Sequence, residues 1–423
     1  MDKNVVFFIR AYNDLDHFTP VISRFNDPAI KVIVILTTQN VRLHDYRIKY
    51  LLSNQKNIVV SEIRSYHPGF FNILFQIGFR KLLYKYLFQK THIVLTKLGL
   101  LNYSGNAPEI SSEFSINRLF KSLHIDSEKF VFCIDHNSDN FTKQVVQEAH
   151  RFHKKVIALP HGDANYFGNM GGRTVNFNLN LEPKQKMVDL FDIYILPNLY
   201  MYEGQKYDLL SQNKEKIKLL GSPRYNEEWL KIHDDLIPKL EKKQKKRVLI
   251  LMKFLGWPIF YEELINTLDI FYHLKDFDVR IKFHTRLSSI FKRNKDLKQL
   301  INALKEKGMS YYFDELPTSS LINWSDIVID LGTSAAFEAV VKSKNLISPE
   351  YLHPDLTTTA YFFKNSSVLS RDELYMILKK CLEAPNFKTY SSREQLQFMT
   401  KIIHFPDSEV LPRYYHLILE EIQ

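Results

Sequence analysis

The stretch with the clearest capacity for chemistry is Pro160-His161-Gly162-Asp163, which follows an apolar, β-branched run. His161 is therefore expected at a strand end, beside a glycine that lets another backbone or a ligand approach closely. Imidazole accepts a proton near neutral pH, and Asp163 is near enough in sequence to orient it. The pattern predicts a general base acting on an acceptor hydroxyl, with Asp14 as an alternative base. The competing interpretation is a buried structural histidine in a turn.

A second cluster consists of Lys282, His284 and Arg286, which alternate at the end of an apolar run. Alternation along a strand places all three on one face, where positive charge converges. Arginine binds phosphate through two parallel hydrogen bonds and lysine binds it as a point charge. We therefore predict a phosphate or pyrophosphate site of a nucleotide donor, and the alternative is an exposed basic edge strand.

The segment Gly332-Thr333-Ser334 separates an apolar run from a helix-like stretch that contains Glu338. Backbone N–H groups at a helix start lack partners within the helix and attract anions. The pattern predicts a second contact to the donor phosphate, with Glu338 accepting hydrogen bonds from ribose or sugar hydroxyls. A simple capped helix with a surface glutamate is the alternative.

Further polar residues follow other apolar runs and are less specific. We predict that they meet the acceptor or line the cleft, although each also fits an ordinary turn or solvated loop. These residues are Arg10, His136, Ser222, Arg224 and His353. The histidines are scattered and the Asp-x-Asp pairs stand alone, so no metal is predicted, and no cofactor beyond the donor itself.

The secondary-structure elements that must position these residues form a regular alternation of predicted strands and helices. Short apolar runs are mostly continuous rather than alternating, which is typical of strands buried on both faces of a parallel sheet. Helix-like stretches separate them, so the class is α/β with doubly wound sheets. A charged run at 241–247 places a boundary near 235–247, which divides the chain into 1–240 and 241–423, the second part ending in helices. The alternative is a charged turn within one large domain.

Two such sheets describe a GT-B-like architecture, in which two Rossmann-like domains face a cleft. Ligands of these sheets bind beyond the carboxyl ends of the strands. We expect residues 1–240 to bind the acceptor and residues 241–423 to bind the nucleotide donor.

Composition narrows the class of protein. The chain has 423 residues, 45% hydrophobic and 25% charged, which excludes disordered and fibrous proteins. Two cysteines cannot form a disulfide framework, and no apolar run is long enough for a membrane span or a signal peptide, so we expect a cytoplasmic protein. The net charge of +10 indicates anionic partners. The acid-free, aromatic and basic stretch 70–90 predicts peripheral binding to an anionic membrane, or else a buried helix.

The Lys282-x-His284 motif, the stretch 330–338 and the upstream His161-Gly162 together resemble a broad bacterial group. It comprises the CDP-glycerol and CDP-ribitol polyol-phosphate transferases and related GT-B enzymes of capsule, teichoic acid and lipopolysaccharide synthesis, some of which use CMP-Kdo. The resemblance implies that His161 is the base and that Lys282 and His284 contact the donor phosphate. It implies that Thr333 and Ser334 bind the same phosphate.

The predicted function is therefore transfer of a glycosyl or polyol-phosphate unit from a CMP-, CDP- or UDP-linked donor. The acceptor is a saccharide or lipid-linked chain of a bacterial surface polysaccharide, such as capsule, O-antigen or a teichoic-acid-like polymer. The alternatives are a nucleotide-sugar epimerase of the same fold and a non-catalytic carbohydrate-binding protein. Nucleic acid is not a predicted partner, because positive charge is spread along the chain and no recognition module appears.

Overall fold

A computed structural model describes residues 3–37, 43–66, 110–125, 128–136, 139–162, 185–198, 214–242, 244–253, 259–284, 294–354, 356–403 and 409–422. Two residues singled out in the sequence, Asp163 and Arg286, and the stretch 70–90 lie outside the described residues. Within the described part of the chain, no helix is both long enough and apolar enough to span a bilayer.

The first half of the chain forms a seven-stranded parallel sheet in the order β3-β2-β1-β4-β5-β6-β7. Its strands are β1 (Lys3–Ile9), β2 (Ile30–Leu36), β3 (Ile58–Glu62), β4 (Lys129–Asp135), β5 (Lys155–Leu159), β6 (Ile193–Leu196) and β7 (Ile217–Leu219). In the register, Val5 of β1 lies between Val32 and Val131. Because both faces of this sheet are covered, the inner strands are buried at nearly every position, as their continuous apolar sequences predict.

The second half forms a six-stranded parallel sheet in the order β10-β9-β8-β11-β12-β13. Its strands are β8 (Lys246–Leu251), β9 (Phe277–Lys282), β10 (Ser310–Tyr312), β11 (Ile327–Asp330), β12 (Asn345–Pro349) and β13 (Ser367–Val368). The two edge strands β10 and β13 are short and were not predicted. Three and two residues are too few to stand out as apolar runs.

Helices cover both faces of each sheet. They are α1 (Tyr12–Ile22), α2 (Tyr46–Asn54), α3 (Ile110–Ser122), α4 (Asn140–Arg151), α5 (Gln185–Leu190), α6 (Glu227–Leu236), α7 (Tyr261–His273), α8 (Lys295–Glu306), α9 (Thr318–Trp324), α10 (Ala335–Val341), α11 (Thr358–Phe362), α12 (Arg371–Glu383), α13 (Ser392–Phe398) and α14 (Val410–Glu420). A 3₁₀ turn spans Pro223–Tyr225 and a π-helical turn spans Met399–Ile403. The α/β class and the GT-B-like pair of doubly wound sheets are confirmed.

Each sheet therefore separates two apolar clusters, one on each face. The final helix α14 belongs to the core of the first sheet although it ends the chain: its Val410, Tyr414 and Ile418 are buried with residues of α1. The Tyr414 hydroxyl donates to the Gly221 carbonyl at 2.9 Å, which fixes the helix on that side. The division of the chain at residue 240 stays a prediction. The last helix of the chain therefore packs on the first sheet and not on the second, which precedes it in sequence.

Candidate functional site

The order of strands marks one place in each sheet where a ligand is expected. The order in which strands are added reverses between β1 and β4 in the first sheet, and between β8 and β11 in the second. At such switch points the loops leave on opposite sides and open a crevice beyond the strand ends. Asp14 follows β1 and Asp135 ends β4, whereas Lys253 follows β8 and Asp330 ends β11. Charged residues thus occupy both switch points.

At the first switch point, two carboxylates surround one imidazole. His161 follows β5, and its Nδ1 lies 2.6 Å from Asp14 Oδ1 and 3.3 Å from Asp135 Oδ2. Both aspartate side chains are fully buried, whereas the His161 side chain is 30% exposed. Nδ1 faces the carboxylates, and the other ring nitrogen, Nε2, forms no hydrogen bond with the residues that the structure describes. The structure therefore joins His161 with Asp14, which the sequence offered as alternatives, in one unit.

The two carboxylates are themselves held in place. Asp14 lies in the first turn of α1, and its Oδ2 accepts the backbone N–H groups of Arg10 (2.7 Å) and Ala11 (2.9 Å). The Arg10 guanidinium donates to Asp135 Oδ1 at 3.2 Å and also pairs with Asp139. Arg10, which we predicted to meet the acceptor, thus orients the carboxylates from within the protein.

These contacts change the protonation of the unit. Burial alone lowers the pKa of His161, but the hydrogen bonds to Asp135 and Asp14 outweigh it and raise this pKa to about 10. Burial raises the pKa of Asp14, and the hydrogen bond with His161 opposes part of that rise. At neutral pH the unit therefore holds its proton on or near the imidazole, which is an arrangement suited to proton transfer.

The same three side chains could ligate a divalent cation, because their ligand atoms lie within 4.8 Å of one another. In the structure, the carboxylate oxygens of Asp14 and Asp135 instead contact His161 Nδ1, and Asp135 also accepts a hydrogen bond from the Arg10 guanidinium. A second such group, His233, Asp234 and Glu338, surrounds the Lys342 ammonium, which lies 2.5 Å from Asp234 and 3.1 Å from Glu338. The expectation that no metal is used stays a prediction.

His136, another predicted acceptor contact, has a structural environment. Its Nε2 lies 2.6 Å from the Ile195 carbonyl, to which it donates, and its ring stacks on Tyr194 with centroids 4.3 Å apart. Burial lowers the pKa of His136 to about 4, so the ring is neutral at physiological pH. A neutral ring whose outer nitrogen donates to the backbone orders the β4 and β6 strand ends rather than presenting a base.

The Pro223–Tyr225 turn connects the two halves of the molecule. Arg224 Nη1 lies 3.3 Å from Asp16 of α1, and its Nη2 lies 3.8 Å from Glu338 of α10. The Tyr225 hydroxyl donates to the Ser334 carbonyl at 2.7 Å. Arg224 is therefore placed where the two halves meet, and its partner Asp16 lies two residues along α1 from Asp14.

The neighbouring Ser222 is buried, and its backbone N–H donates to the Ile403 carbonyl at 3.2 Å. Glu338 is also buried: its Oε2 accepts the Ser319 hydroxyl at 2.7 Å, and Lys342 lies on its other oxygen. The predicted contact of Glu338 with a ribose would require the carboxylate to exchange these protein partners.

At the second switch point, the loop after β11 is closed by its own aspartate. Asp330 Oδ1 accepts the N–H groups of Gly332 and Thr333, both at 2.8 Å, and its Oδ2 accepts the Thr359 hydroxyl at 2.7 Å. Gly332 has a φ of 95°, a left-handed conformation that a residue with a Cβ adopts only with strain. Because Asp330 already accepts these two N–H groups, a phosphate contact at this turn must use other groups, and that contact stays a prediction.

Ser334 also has a partner within the protein. Its carbonyl accepts the Tyr225 hydroxyl, and α10 behind it has only seven residues, too short for a strong helix dipole. Thr333 keeps a donor group for a ligand, since its buried hydroxyl oxygen has no hydrogen-bond partner among the described residues.

The basic cluster is split by the end of β9. Lys282 is the last strand residue, it is buried, and its ammonium donates to the Phe313 carbonyl. Burial lowers the pKa of Lys282 to about 8, although Asp314 and Glu315 oppose the shift. His284 lies beyond the strand and is half-buried. Strand β9 therefore ends before His284, and the shared phosphate contact of Lys282 and His284 stays a prediction.

Sequence reasoning missed two residues at this edge, Lys253 and Glu350. Glu350 follows β12, its Oε1 accepts the Thr357 hydroxyl at 3.1 Å, and burial raises its pKa to about 8. The predicted site residue His353 is fully buried, with Nε2 3.9 Å from the same oxygen. Lys253 interacts electrostatically with Asp330 and Glu350. Glu350 directly follows β12 and Lys253 lies two residues beyond β8, and a position just after a strand is the signal that could have found them.

Comparisons with known proteins support the fold. No protein-family model matches the sequence, and no curated protein matches it either. Solved structures of nucleotide-sugar enzymes are similar over almost the whole chain. One is the UDP-GlcNAc 2-epimerase of Neisseria meningitidis bound to UDP-GlcNAc (TM-score 0.55, 11% identity, 99% of this chain and 100% of that chain).

Two others are a glycosyltransferase of Rickettsia africae (TM-score 0.52, 12% identity, 99% and 98% covered) and a variant of the wall teichoic acid polymerase TagF soaked with CDPG (TM-score 0.56, 12% identity, 99% and 88% covered). At these identities, the similarity concerns architecture. The chain has the two-domain GT-B-type fold that epimerases, glycosyltransferases and a polyol-phosphate polymerase share.

Proposed function

We propose that the protein is a transferase that moves a glycosyl or polyol-phosphate unit from a CMP-, CDP- or UDP-linked donor to a saccharide or lipid-linked acceptor. The product belongs to a bacterial surface polysaccharide, such as capsule, O-antigen or a teichoic-acid-like polymer. One observation carries the proposal: the His161 imidazole is held by Asp14 and Asp135 at the switch point of the first sheet, with Nε2 forming no hydrogen bond to the described residues.

The arrangement suits removal of a proton from an acceptor hydroxyl. The raised pKa makes neutral His161 the minor form at pH 7, and it is this form whose Nε2 takes the hydroxyl proton while the acceptor oxygen attacks the donor. The bond to the departing nucleotide phosphate breaks, and that phosphate carries the electron pair away. The two carboxylates stabilise the imidazolium that forms, as the aspartate does in a serine-protease triad. A positioned base of this kind contributes about 10²–10⁴ to the rate.

The second domain would hold the donor. The nucleotide phosphates are expected at strand ends that carry the Thr333 hydroxyl, the half-buried His284 and the two lysines Lys253 and Lys282. Lysine ammonium groups and hydroxyl or imidazole N–H donors of this kind stabilise the charge that develops on a leaving phosphate. The named ligands of two similar structures, UDP-GlcNAc and CDPG, support a nucleotide-linked donor. We place the reaction in the cytoplasm, on the inner face of the membrane that carries a lipid-linked acceptor.

A nucleotide-sugar epimerase is the second candidate, because a UDP-GlcNAc 2-epimerase is similar over the whole chain. In that case, the same carboxylate–histidine unit would move a proton at carbon instead of oxygen. The two reactions differ in a measurable way: an epimerase changes the donor sugar, whereas a transferase releases the nucleotide and passes its unit to an acceptor or, slowly, to water.

The test incubates the purified chain with UDP-GlcNAc, CDP-glycerol and CMP-Kdo and follows nucleotide release and sugar configuration by NMR. We expect release from one donor and its loss in His161→Ala. His150→Ala is the matched control, since His150 forms an equivalent pair with Asp192 (2.9 Å) away from both switch points. A new sugar configuration without release would establish the epimerase. Equal release by wild type and His161→Ala would contradict the proposed mechanism.

A further inference from the structure

A groove apart from both switch points lies on the second domain. It runs between α7 and the loop that enters α12, has a volume of about 750 Å³, and is open to solvent along one side. That volume is within the range of small-molecule sites, roughly 300–1,000 Å³. We call it the α7–α12 groove. Tyr351, which directly follows Glu350 after β12, is one of the lining residues, so the groove reaches the neighbour of a residue at the proposed donor edge.

The lining combines aromatic and hydrogen-bonding groups. Tyr351 and Tyr375 contribute rings, and Asn266, Asp269 and Asp372 contribute amide and carboxylate groups. The Tyr351 hydroxyl shares a hydrogen bond with Thr267 at 3.0 Å, which fixes that ring, whereas Tyr375 is 39% exposed. Sugars present an apolar face of C–H groups and a rim of hydroxyls. Tyrosine rings with neighbouring amides and carboxylates complement both surfaces.

Charge decides which sugars fit. Three carboxylates, one guanidinium and one imidazole line the groove: Glu263, Asp269, Asp372, Arg371 and His273. Glu263 pairs with Arg371 at 2.8 Å and Asp269 pairs with Lys307, so the groove has an excess of one negative charge, at Asp372. This acidic character contrasts with the net charge of +10 of the whole chain. Phosphorylated or uronic-acid ligands would be repelled, so neither the nucleotide nor a polyanionic polymer suits the groove.

We propose that the α7–α12 groove binds a neutral oligosaccharide, a segment of the acceptor glycan behind its reacting end. This inference rests on the proposed function for its role, since it names the acceptor as an uncharged glycan. A second site along the acceptor holds the growing chain while the donor is exchanged, and the linked contacts raise the effective concentration of the chain end at the cleft.

The experiment titrates the full chain with maltohexaose, cellohexaose, chitohexaose and laminarihexaose, and with hexagalacturonic acid as the anionic counterpart, by NMR saturation transfer and calorimetry. We expect at least one neutral hexasaccharide to bind with a Kd below about 10 mM. Tyr375→Ala should weaken it about fivefold or more, as expected when an aromatic contact is lost. Tyr272→Ala is the matched control, because Tyr272 is an exposed tyrosine of α7 that does not line the groove.

The proposal is overturned if none of the four neutral hexasaccharides binds at that concentration. It is also overturned if Tyr375→Ala binds like the wild type, or if hexagalacturonic acid binds as tightly as the neutral sugars. His161→Ala separates this inference from the proposed function, since that variant should lose nucleotide release and keep hexasaccharide binding. Binding of sugar by a chain that releases no nucleotide would support the groove and contradict the transferase.

Discussion

The switch points of the two sheets carry similar numbers of charged groups and use them differently. At the first, Asp14 and Asp135 converge on a partly exposed imidazole, so the charges meet at a group that a substrate can reach. At the second, Asp330 accepts three hydrogen bonds from its own loop and from Thr359, and Lys282 donates to a backbone carbonyl. The first edge is arranged for proton transfer, whereas the second uses its charges to shape a loop.

This difference teaches that a charged residue at a strand end is not by itself a binding group. A buried charge must be satisfied, and the nearest polar groups of the chain satisfy it first. The groups of the second edge that remain for a donor are those such as the Thr333 hydroxyl, which the protein leaves without a partner. If the first edge transfers a proton and the second binds the donor, substitutions at the two edges should have different effects.

The largest expected effect follows from removing the imidazole at the first edge. His161→Ala should lower nucleotide release from the accepted donor by about 10²–10⁴, the contribution of a positioned base. Nucleotide binding, measured by thermal shift with CMP, CDP and UDP, should not change, because we propose that the second edge binds the nucleotide. Loss of binding in His161→Ala would contradict the separation of roles.

The second prediction is a pH dependence. Because the pKa of His161 is raised to about 10, the neutral base is scarce at pH 7, and kcat/KM should rise about tenfold per unit between pH 7 and 9 and level off near 10. Lys282, whose pKa is about 8, loses its charge in the same range, so the profile is compared with that of Lys282→Met. Activity that falls as pH rises would instead assign His161 the role of a general acid.

Stability should change in the opposite direction over the same range. The folded state keeps a proton on His161 up to about pH 10, whereas an unfolded histidine loses it near pH 6.5. The stabilising contribution is therefore complete below about pH 6.5 and is lost as pH rises to about 10. Urea unfolding of the wild type and His161→Ala should show a gap that narrows with pH. A constant gap would contradict the assigned pairing.

The fourth prediction concerns the link between the edges. Arg224→Met should lower the free energy of unfolding by about 2 kcal/mol. This is less than the roughly 3–5 kcal/mol for a buried carboxylate that loses its partner, because Asp16 still pairs with Arg47 and Glu338 still pairs with Lys342. Arg24→Met is the control: its pair with Glu228 (2.7 Å) is partly exposed and should contribute less than about 1 kcal/mol. Equal effects of the two substitutions in urea unfolding would show that Arg224 is not a link.

The smallest effect is expected at the second edge. Thr359→Val removes one hydrogen bond from Asp330 at nearly constant volume and should destabilise the chain by about 1–2 kcal/mol. It should also weaken nucleotide binding in the thermal-shift assay, because Asp330 shapes the Gly332-Thr333 loop. Thr400→Val, which removes an exposed hydrogen bond to Leu396 (2.9 Å), is the control. A loop that binds nucleotide unchanged in Thr359→Val would contradict this role.

Several features of the fold followed directly from local sequence. Continuous apolar runs such as Val5–Ile9 and Val248–Leu251 predicted buried parallel strands, because burial on both faces leaves no polar alternation. The helices that end the chain also followed from apolar spacing. The same reasoning placed His161 and Asp14 at strand ends, since both follow clear strands. The short edge strands β10 and β13 carried too little pattern to be predicted.

The sequence by itself therefore determined the α/β class, the two sheets and the positions of polar residues at strand ends, because these depend on the polarity of neighbouring residues. Tertiary structure alone decided the partners. Asp14 and His161 are 147 residues apart and meet only because β1, β4 and β5 are neighbours in the sheet. Gly332 and Thr333 donate to Asp330 because they are two and three residues from it in sequence. The hydrogen bond from Thr359, by contrast, depends on the packing of a helix 29 residues away in sequence. Whether a charge faces a substrate or its own chain is fixed by burial, and burial exists only in the folded molecule.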